Sequence, residues 1–196
     1  MCIDSFRVAG KPDAPAIAKL VNKAYRPHPA ESGWTHESGL ISGNRTSIGQ
    51  AVALIFELGS AVLVGLKESR IVACVHVKKD GGQTRIGMLA VNPLLQGLGA
   101  GKQMLAHAER YANSNFFPEK FVMAVISARN ELISFYLRRG YKKQASRRTI
   151  RSQQVRVLLN IPASKSRYLK SRPTLWTKSS LNVPYWICKY QQIHAH

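Results

Sequence analysis

Three glycines at alternate positions mark the run LAVNPLLQGLGAGKQML, which covers residues 89–105. Gly97, Gly99 and Gly101 follow a strand-like segment and come directly before a segment with helical periodicity. A glycine-rich turn in this place leaves backbone N–H groups free at the positive end of a helix, where a phosphate binds without a charged side chain. A turn that needs glycine only for positive φ angles is the structural alternative.

The spacing of these glycines excludes two nucleotide-binding motifs. The P-loop requires Ser or Thr after Gly-Lys, whereas Lys102 is followed by Gln103. The dinucleotide fingerprint G-x-G-x-x-G is not formed either, because the glycines are two residues apart. The turn alone therefore indicates close approach of the backbone to an anion without identifying that anion.

Hydrophobic periodicity predicts the elements that must position this turn. Strands are predicted at 5–8, 61–66, 70–77, 85–91 and 121–126, and helices at 11–26, 46–58, 102–112 and 130–140. The Asp80-Gly81-Gly82 hairpin signal makes the strand at 85–91 antiparallel to the one before it. The apolar run FVMAVI at 121–126 is typical of a strand buried on both faces, and the crossover helix makes it parallel to 85–91.

The segment NELISFYLRRGY, residues 130–141, carries the second set of candidate residues. With the glycine turn it resembles the Gcn5-related N-acetyltransferase (GNAT) superfamily. Gln96, Gly99 and Gly101 match the signature Q/R-x-x-G-x-G/A, and the later segment matches through Asn130, Phe135-Tyr136 and Gly140-Tyr141. The resemblance covers residues 5–141 by the order of elements and is specific over 85–141. It implies an α/β (α+β) fold with a mixed, mostly antiparallel sheet flanked by helices, in which parallel splayed central strands form a coenzyme A cleft.

The resemblance also implies acetyl-CoA as the acetyl donor and assigns its binding residues. Gln96 belongs to the signature, and the pyrophosphate would be cradled by the backbone N–H groups of Gly97, Leu98, Gly99, Ala100, Gly101 and Lys102. Strand 85–91 corresponds to a bulged strand that splays from its parallel neighbour, so that Leu89 and Val91 would pair their backbone with the pantetheine arm. Asn130 would cap its helix and touch that arm.

Two catalytic roles follow from the same resemblance. The N–H of Leu89 would donate to the thioester carbonyl and stabilise the oxyanion that forms there. Tyr136 would donate a proton to the departing thiolate, although a buried core tyrosine is the structural alternative. Gly140-Tyr141 is interpreted as the end of the helix and part of its packing.

The general base is left unassigned, because Arg85 stands where the family often has a carboxylate, four residues before Leu89. The candidates by topology are His36, Glu37, Glu57 and His76, and for the last two a structural role is the stronger interpretation. Trp34 and Glu37 lie where the family builds its acceptor pocket, but an ordinary loop explains them equally well.

The charge of +19 is concentrated in the C-terminal part of the chain. Residues 142–196 contain 12 Lys or Arg and no Asp or Glu, and the family domain is therefore predicted to end near residue 145. QVRVLLNI, residues 154–161, could supply a closing strand within the atypical basic segment 146–196. Three interpretations of the remainder stay open. It is a poorly ordered extension, or it is the product of a shifted reading frame. In the third interpretation it contacts nucleic acid or an acidic partner through its basic residues and through Trp176, Tyr185 and Trp186.

Composition limits the remaining function classes. The longest apolar stretch, residues 51–66, is too short for a membrane helix, and the start of the chain shows no secretory signal. Three distant cysteines favour neither a disulfide framework nor a metal site, and they suit the cytoplasm.

The sequence predicts a cytoplasmic monomer or homodimer that transfers acetyl from acetyl-CoA to a primary amine of a small molecule by direct attack in a ternary complex. The alternative is a CoA-binding or nucleic-acid-binding module with impaired catalysis that uses the basic tail.

Overall fold

Alternating apolar residues between 60 and 91 form three consecutive antiparallel strands in the computed structural model, which describes residues 2–26, 43–144 and 156–168. These strands are β2 (Ser60–Lys67), β3 (Arg70–Asp80) and β4 (Gln83–Val91). The first strand, β1 (Ser5–Val8), pairs antiparallel with β2. The predicted hairpin between β3 and β4 is confirmed.

The second half of the sheet begins with β5 (Lys120–Ile126), which is parallel to β4 as predicted. On its other edge β5 pairs antiparallel with β7 (Arg156–Pro162), and β6 (Lys142–Lys143) pairs with β7. The strand predicted within 154–161 is thereby confirmed. Within the described residues the sheet has the order β1-β2-β3-β4-β5-β7-β6, mostly antiparallel, with one parallel pair at β4–β5.

Helices cover both faces of this sheet. On one face lie α1 (Ala14–Tyr25), against β3 and β4, and α2 (Ile48–Phe56), against β2. On the other face α3 (Ala100–Phe116) packs against β3 and β4, and α4 (Asn130–Leu137) adds buried residues to the same core cluster. The fold is therefore a mixed sheet flanked by helices, as the sequence predicts.

The helices form because their apolar residues recur at helical spacing and their ends are capped. In α1 the buried residues Ile17, Leu20, Val21 and Ala24 follow the i, i+3, i+4, i+7 pattern that faces a sheet. At the start of α2, the Ser47 hydroxyl accepts a hydrogen bond from the Gln50 N–H, and the Gln50 side chain accepts one from the Ser47 N–H. This capping box fixes where α2 begins.

The strand β5 is buried on both faces, as predicted, except at one residue. Phe121, Met123 and Val125 are buried in the core that α3 shares, and Val122 and Ile126 are buried on the opposite face. Ala124 lies between them on that face and is exposed, because β4 diverges from β5 and leaves a cleft beside it.

A buried carboxylate ties the end of the described chain to the core. The hydroxyls of Tyr141 and Ser166 both donate to Glu109 of α3, the first at 2.7 Å, and Glu109 is only 1% exposed. Burial raises the pKa of Glu109. Gly140, with φ +93°, ends the segment after α4, so the predicted structural role of Gly140-Tyr141 is confirmed.

None of the helices within the described ranges has the length and apolar character needed to cross a lipid bilayer.

Candidate active site

The glycine turn forms the entrance to α3. Gly97 and Gly99 have φ angles of +79° and +94°, and Gly99 is the N-cap residue of α3. Only glycine adopts this conformation without strain. A Cβ at either position would meet no atom within 4 Å, so the space in front of the turn is open. Gly101 has no such φ, and its Cβ would make ordinary contact with Phe135 at 3.6 Å.

A cleft of about 330 Å³ opens in front of this turn, and we call it the glycine-turn cleft. Seven of the residues predicted to bind the donor line it: Leu89, Val91, Gln96, Gly97, Gly99, Gly101 and Lys102. Tyr25 of α1 and Phe135 of α4 complete its walls. The turn and the end of β4 thus form one surface, as predicted.

The glycine-turn cleft is suited to an anion. The first N–H groups of α3 have no acceptor within the helix and lie at its positive end. Four cationic side chains also line the cleft, from Lys102, Arg129, Arg138 and Arg139. The guanidinium carbon of Arg139 lies 3.4 Å from the ring centre of Phe135, and its Nη1 donates to the Phe135 carbonyl at 2.5 Å. These contacts hold one positive charge at the cleft wall.

The strand β4 carries a bulge beside the cleft. Cys74 is opposite Ala90 and His76 is opposite Gly87, so that two residues of β4, Met88 and Leu89, face one residue of β3. Met88 has a φ of +49°, which is unusual for a residue with a side chain. The parallel pairing of β4 with β5 includes only residues 83–85 and 120–122, after which the two strands diverge. Both the bulge and the splay agree with the prediction.

Two side chains brace the end of β4. The hydroxyl of Tyr25 donates to the carbonyl of Leu89 at 3.1 Å, and the amide of Gln96 donates to the carbonyl of Val91 at 3.2 Å. The guanidinium carbons of Arg45 and Arg129 lie 5.3 and 5.6 Å from the ring centre of Tyr25. The backbone of Leu89 is therefore fixed from α1.

A second cleft of about 440 Å³ lies where β4 and β5 diverge, and we call it the splay cleft. Tyr136 lines the splay cleft and not the glycine-turn cleft, whereas Leu89 lines both. Tyr136 is only 5% exposed, with its ring edge-on to Phe135 and Tyr141. Burial raises the pKa of Tyr136, so its hydroxyl keeps its proton at neutral pH.

Two of the candidate bases, His76 and Glu57, lie close together beside the splay cleft. His76 lines this cleft, and its Nε2 is 3.6 Å from Oε2 of Glu57, which is the C-cap residue of α2. Oε1 of Glu57 accepts a hydrogen bond from Nζ of Lys78 at 2.5 Å. Arg85 also lines the cleft, and its Nε is 2.6 Å from Oδ2 of Asp80. The other candidates, His36 and Glu37, lie outside the described residues, as does Trp34.

Residues 59–143 match the family model of the acetyltransferase (GNAT) domain. This segment of the chain belongs to the GNAT superfamily. The match contains β2 to β5, α3 and α4, which supply most of the residues that line the two clefts. No curated protein sequence matches the chain.

Solved structures share the fold at low sequence identity. The PaiA N-acetyltransferase from Thermoplasma acidophilum, in complex with coenzyme A, is 14% identical with a TM-score of 0.66, covering 81% of this chain and 99% of that one. The ribosomal-protein-S18-alanine N-acetyltransferase from Escherichia coli is 14% identical with a TM-score of 0.63, covering 88% and 99%. A chimera of the spermidine N-acetyltransferase SpeG from Vibrio cholerae and hSSAT is 14% identical with a TM-score of 0.62, covering 85% and 98%.

The predicted capping role of Asn130 is wrong in this GNAT domain. Arg129 is the N-cap residue of α4, since its carbonyl accepts the first helical hydrogen bond from the Ile133 N–H. The Arg129 N–H donates to the Ile126 carbonyl and closes a turn after β5, so the helix begins at Asn130 itself, one residue earlier than expected. Asn130 is exposed and is not among the residues that line either cleft.

Two further donor-site residues do not line the glycine-turn cleft. Leu98 is 63% exposed, and Ala100 is fully buried under the start of α3. The resemblance assigns only their backbone N–H groups to the pyrophosphate, and this assignment stays a prediction.

Several cleft residues were missed at the sequence level. Tyr25, Arg129, Arg138 and Arg139 line the glycine-turn cleft without having been predicted to do so. Arg129 and the Arg138-Arg139 pair lie beside or within the segment 130–141 and were visible signals, whereas Tyr25 comes from a distant part of the chain.

Most of the basic tail lies outside the described residues. This includes 145–155 and 169–196, with Trp176, Tyr185 and Trp186. The predicted nucleic-acid contact and the boundary near residue 145 stay predictions. In the described part of the chain Cys2 and Cys74 are free thiols, and no cluster of metal-binding side chains occurs there.

Proposed function

We propose that this chain is an acetyl-CoA-dependent N-acetyltransferase that acetylates a primary amine of a small molecule by direct attack within a ternary complex. The observation that carries the proposal is that Leu89 lines both clefts. An anion-binding cleft and a second cleft therefore meet at one bulged strand. A donor bound in the first cleft and an acceptor bound in the second would meet at Leu89.

The residues of the glycine-turn cleft fit the phosphates of acetyl-CoA, which supplies an acetyl group as a thioester. Gly97 and Gly99 have no Cβ, and the space that a Cβ would occupy is open. A phosphate can therefore approach the backbone there. Lys102, Arg138 and Arg139 would neutralise the phosphate charge. The Thermoplasma acidophilum relative contains coenzyme A, which supports the same class of donor here.

Two groups of the chain would act on the acetyl thioester. The N–H of Leu89 would donate to its carbonyl oxygen, and one such donor is worth roughly 2.7–4 kcal/mol of transition-state stabilisation. The backbone is held for this role by the hydrogen bond from Tyr25 to the Leu89 carbonyl. Tyr136, whose hydroxyl keeps its proton because burial raises its pKa, would protonate the departing sulfur.

The splay cleft supports a small acceptor. Its volume of about 440 Å³ lies within the range of small-molecule sites. A relative with the same fold is named as a spermidine N-acetyltransferase, which supports an amine as the acceptor class. The lining of this cleft includes Arg26, Arg45, Lys78 and Arg85, which disfavours polyamines and favours amines that carry fewer positive charges.

Calorimetry with acetyl-CoA, followed by an assay of thiol release with a panel of primary amines, tests the proposal. The panel contains spermidine, glucosamine, lysine and a peptide with an N-terminal alanine. We expect acetyl-CoA to bind with a Kd below about 1 mM and S-acetylpantetheine, which lacks the pyrophosphate, to bind at least about tenfold more weakly. Equal binding of the two thioesters would contradict the assigned phosphate site. Tight binding without turnover on any amine would favour the CoA-binding module over the enzyme.

A further inference from the structure

We propose that His76 is the general base of the acetyl transfer and that Glu57 positions its imidazole. This inference rests on the proposed function and assigns the one catalytic role that the proposed function leaves open.

The register of the sheet brings the imidazole of His76 to the splay cleft. His76 and Gly87 are paired across β3 and β4, and residues paired in this way lie on the same face of the sheet. A Cβ on Gly87 would meet no atom within 4 Å, so the neighbouring strand presents no side chain there and open space lies beside His76. His76, Leu89 and Tyr136 all line this cleft. The base, the oxyanion donor and the acid therefore belong to one cavity.

The contacts of the imidazole leave a nitrogen available for a proton. Nε2 of His76 is buried and has no hydrogen-bond partner within the described residues. Its nearest ionic neighbour, Oε2 of Glu57, is 3.6 Å away, which is beyond hydrogen-bond distance. The acceptor amine would reach Nε2 from the splay cleft, which His76 lines. Glu57 is itself held by the 2.5 Å contact of its other oxygen with Lys78.

The surroundings keep the imidazole neutral and therefore able to accept a proton. Burial lowers the pKa of His76, with a smaller lowering by Lys78, and Glu57 acts in the opposite direction. Arg85 of β4, Arg45 before α2 and Arg129 at the start of α4 line the same cleft and also oppose a positive charge on the ring. Once the ring is protonated, Glu57 is the carboxylate closest to it and stabilises the imidazolium.

The proton transfer balances as follows. The acceptor enters as an ammonium ion, and Nε2 of His76 takes one proton from it. The freed lone pair of the amine nitrogen forms the C–N bond with the acetyl carbon while the Leu89 N–H binds the carbonyl oxygen. The C–S bond breaks with its electron pair on sulfur, and Tyr136 gives sulfur a proton. The second proton of the nitrogen restores the Tyr136 hydroxyl through solvent, and His76 releases its proton to solvent.

The variant His76→Gln tests the assignment in the full-length protein with the best acceptor of the amine panel. We expect kcat to fall by about 100-fold while the Kd for acetyl-CoA stays within twofold of the wild-type value. We also expect the acidic limb of the wild-type kcat profile, which burial places below the ordinary titration range of histidine by lowering the pKa of His76, to be absent in the variant. His107→Gln, a matched change at a histidine stacked on Phe6 away from both clefts, should keep the wild-type profile.

The variant Glu57→Gln leaves His76 in place and changes the pKa of its imidazole, and with it the pH dependence of kcat. Because Glu57 raises the pKa of His76, its removal should shift the acidic limb of the kcat profile to lower pH. The same shift should appear in the NMR titration of the His76 imidazole without any thioester. An unchanged titration of His76 in Glu57→Gln would overturn the role of Glu57.

The outcomes separate this inference from the proposed function. Wild-type protein that binds no acetyl-CoA and releases no thiol would overturn the proposed function and this inference with it. Turnover by the wild type together with kcat of His76→Gln within twofold, or with an acidic limb that persists in that variant, would overturn the base assignment alone.

Discussion

The hydroxyl of Tyr25 donates a hydrogen bond to the carbonyl of Leu89 at 3.1 Å, which joins the end of α1 to the bulge of β4. The two residues are 64 positions apart in the chain. Leu89 follows Met88, which has a φ of +49°, and its strand has left its parallel partner by this point. One phenol from α1 therefore holds the backbone of the bulge at Leu89.

Removal of this phenol in Tyr25→Phe should lower kcat/KM by about fivefold, since one neutral hydrogen bond is worth about 1 kcal/mol. The far-ultraviolet circular dichroism should not change, because the ring and its packing remain. Tyr111→Phe is the control, at a half-buried tyrosine of α3 that packs edge-on against Phe116 and lines neither cleft. Equal kinetic losses in both variants would contradict a specific role of the Tyr25 hydroxyl.

A side chain on Gly99 should weaken donor binding beyond its effect on stability. Gly99→Ala places a Cβ in the open space of the glycine turn at a φ of +94°, which costs roughly 1–2 kcal/mol of folding free energy. It also blocks the approach of a phosphate, so we expect the Kd for acetyl-CoA to rise by at least about tenfold.

Gly81→Ala is the matched control for that variant. Gly81 has a φ of +58°, and a Cβ there would likewise meet no atom within 4 Å, but this glycine lies in the β3–β4 turn. Thermal unfolding should show similar destabilisation of the two variants, and calorimetry should show weakened acetyl-CoA binding in Gly99→Ala alone. Unimpaired binding by Gly99→Ala would refute the phosphate cradle.

The acid assigned to Tyr136 predicts a loss of turnover without a loss of donor binding. Tyr136→Phe should lower kcat by about 100-fold, because the departing thiolate no longer receives a proton, and should leave the Kd for acetyl-CoA unchanged. Tyr141→Phe should give the opposite result. Its ring is 5.8 Å from that of Tyr136, but its hydroxyl donates to the buried Glu109, so stability falls and kcat does not. Urea unfolding and steady-state kinetics on both variants check this contrast, and a fully active Tyr136→Phe would remove the assignment.

The order of strands and helices was predictable because it depends on local patterns. Alternation gives the strands, helical spacing gives the faces of α1 and α3, and Asp80-Gly81-Gly82 gives the hairpin. The bulge at Met88 has no such signal, since methionine is not a residue that favours positive φ, and it was expected only through the family resemblance. Asn130 shows the limit of capping rules, because the turn closed by the Arg129 N–H moved the helix start by one residue.

The residues that line a cleft were predictable only where they lie close together in the sequence. Seven of the fourteen residues that line the glycine-turn cleft lie within 89–102, and the motif therefore located it. The sequence named Glu57 and His76 separately as candidates, but their 3.6 Å contact depends on how α2 packs beside β3. Contacts between distant segments, such as Tyr25 with Leu89, arise from the tertiary packing and have no counterpart in local periodicity.

His107 should make the stability of the protein fall in mild acid. Its ring stacks on Phe6 with centroids 4.4 Å apart, and burial, with a smaller effect of Arg110, lowers its pKa to about 4. In the unfolded chain the pKa is about 6.5, so the unfolded state binds the proton first and stability is lost as the pH falls from about 6.5 towards 4. The full effect is about 3 kcal/mol, because the folded and unfolded pKa values differ by roughly 2.5. In urea unfolding at about pH 7.5 and pH 4, the wild type should therefore lose more stability than His107→Gln, which has no titrating group there. The lost stacking in the variant lowers stability equally at both pH values, so an identical loss in both proteins would show that His107 does not resist protonation in the folded state.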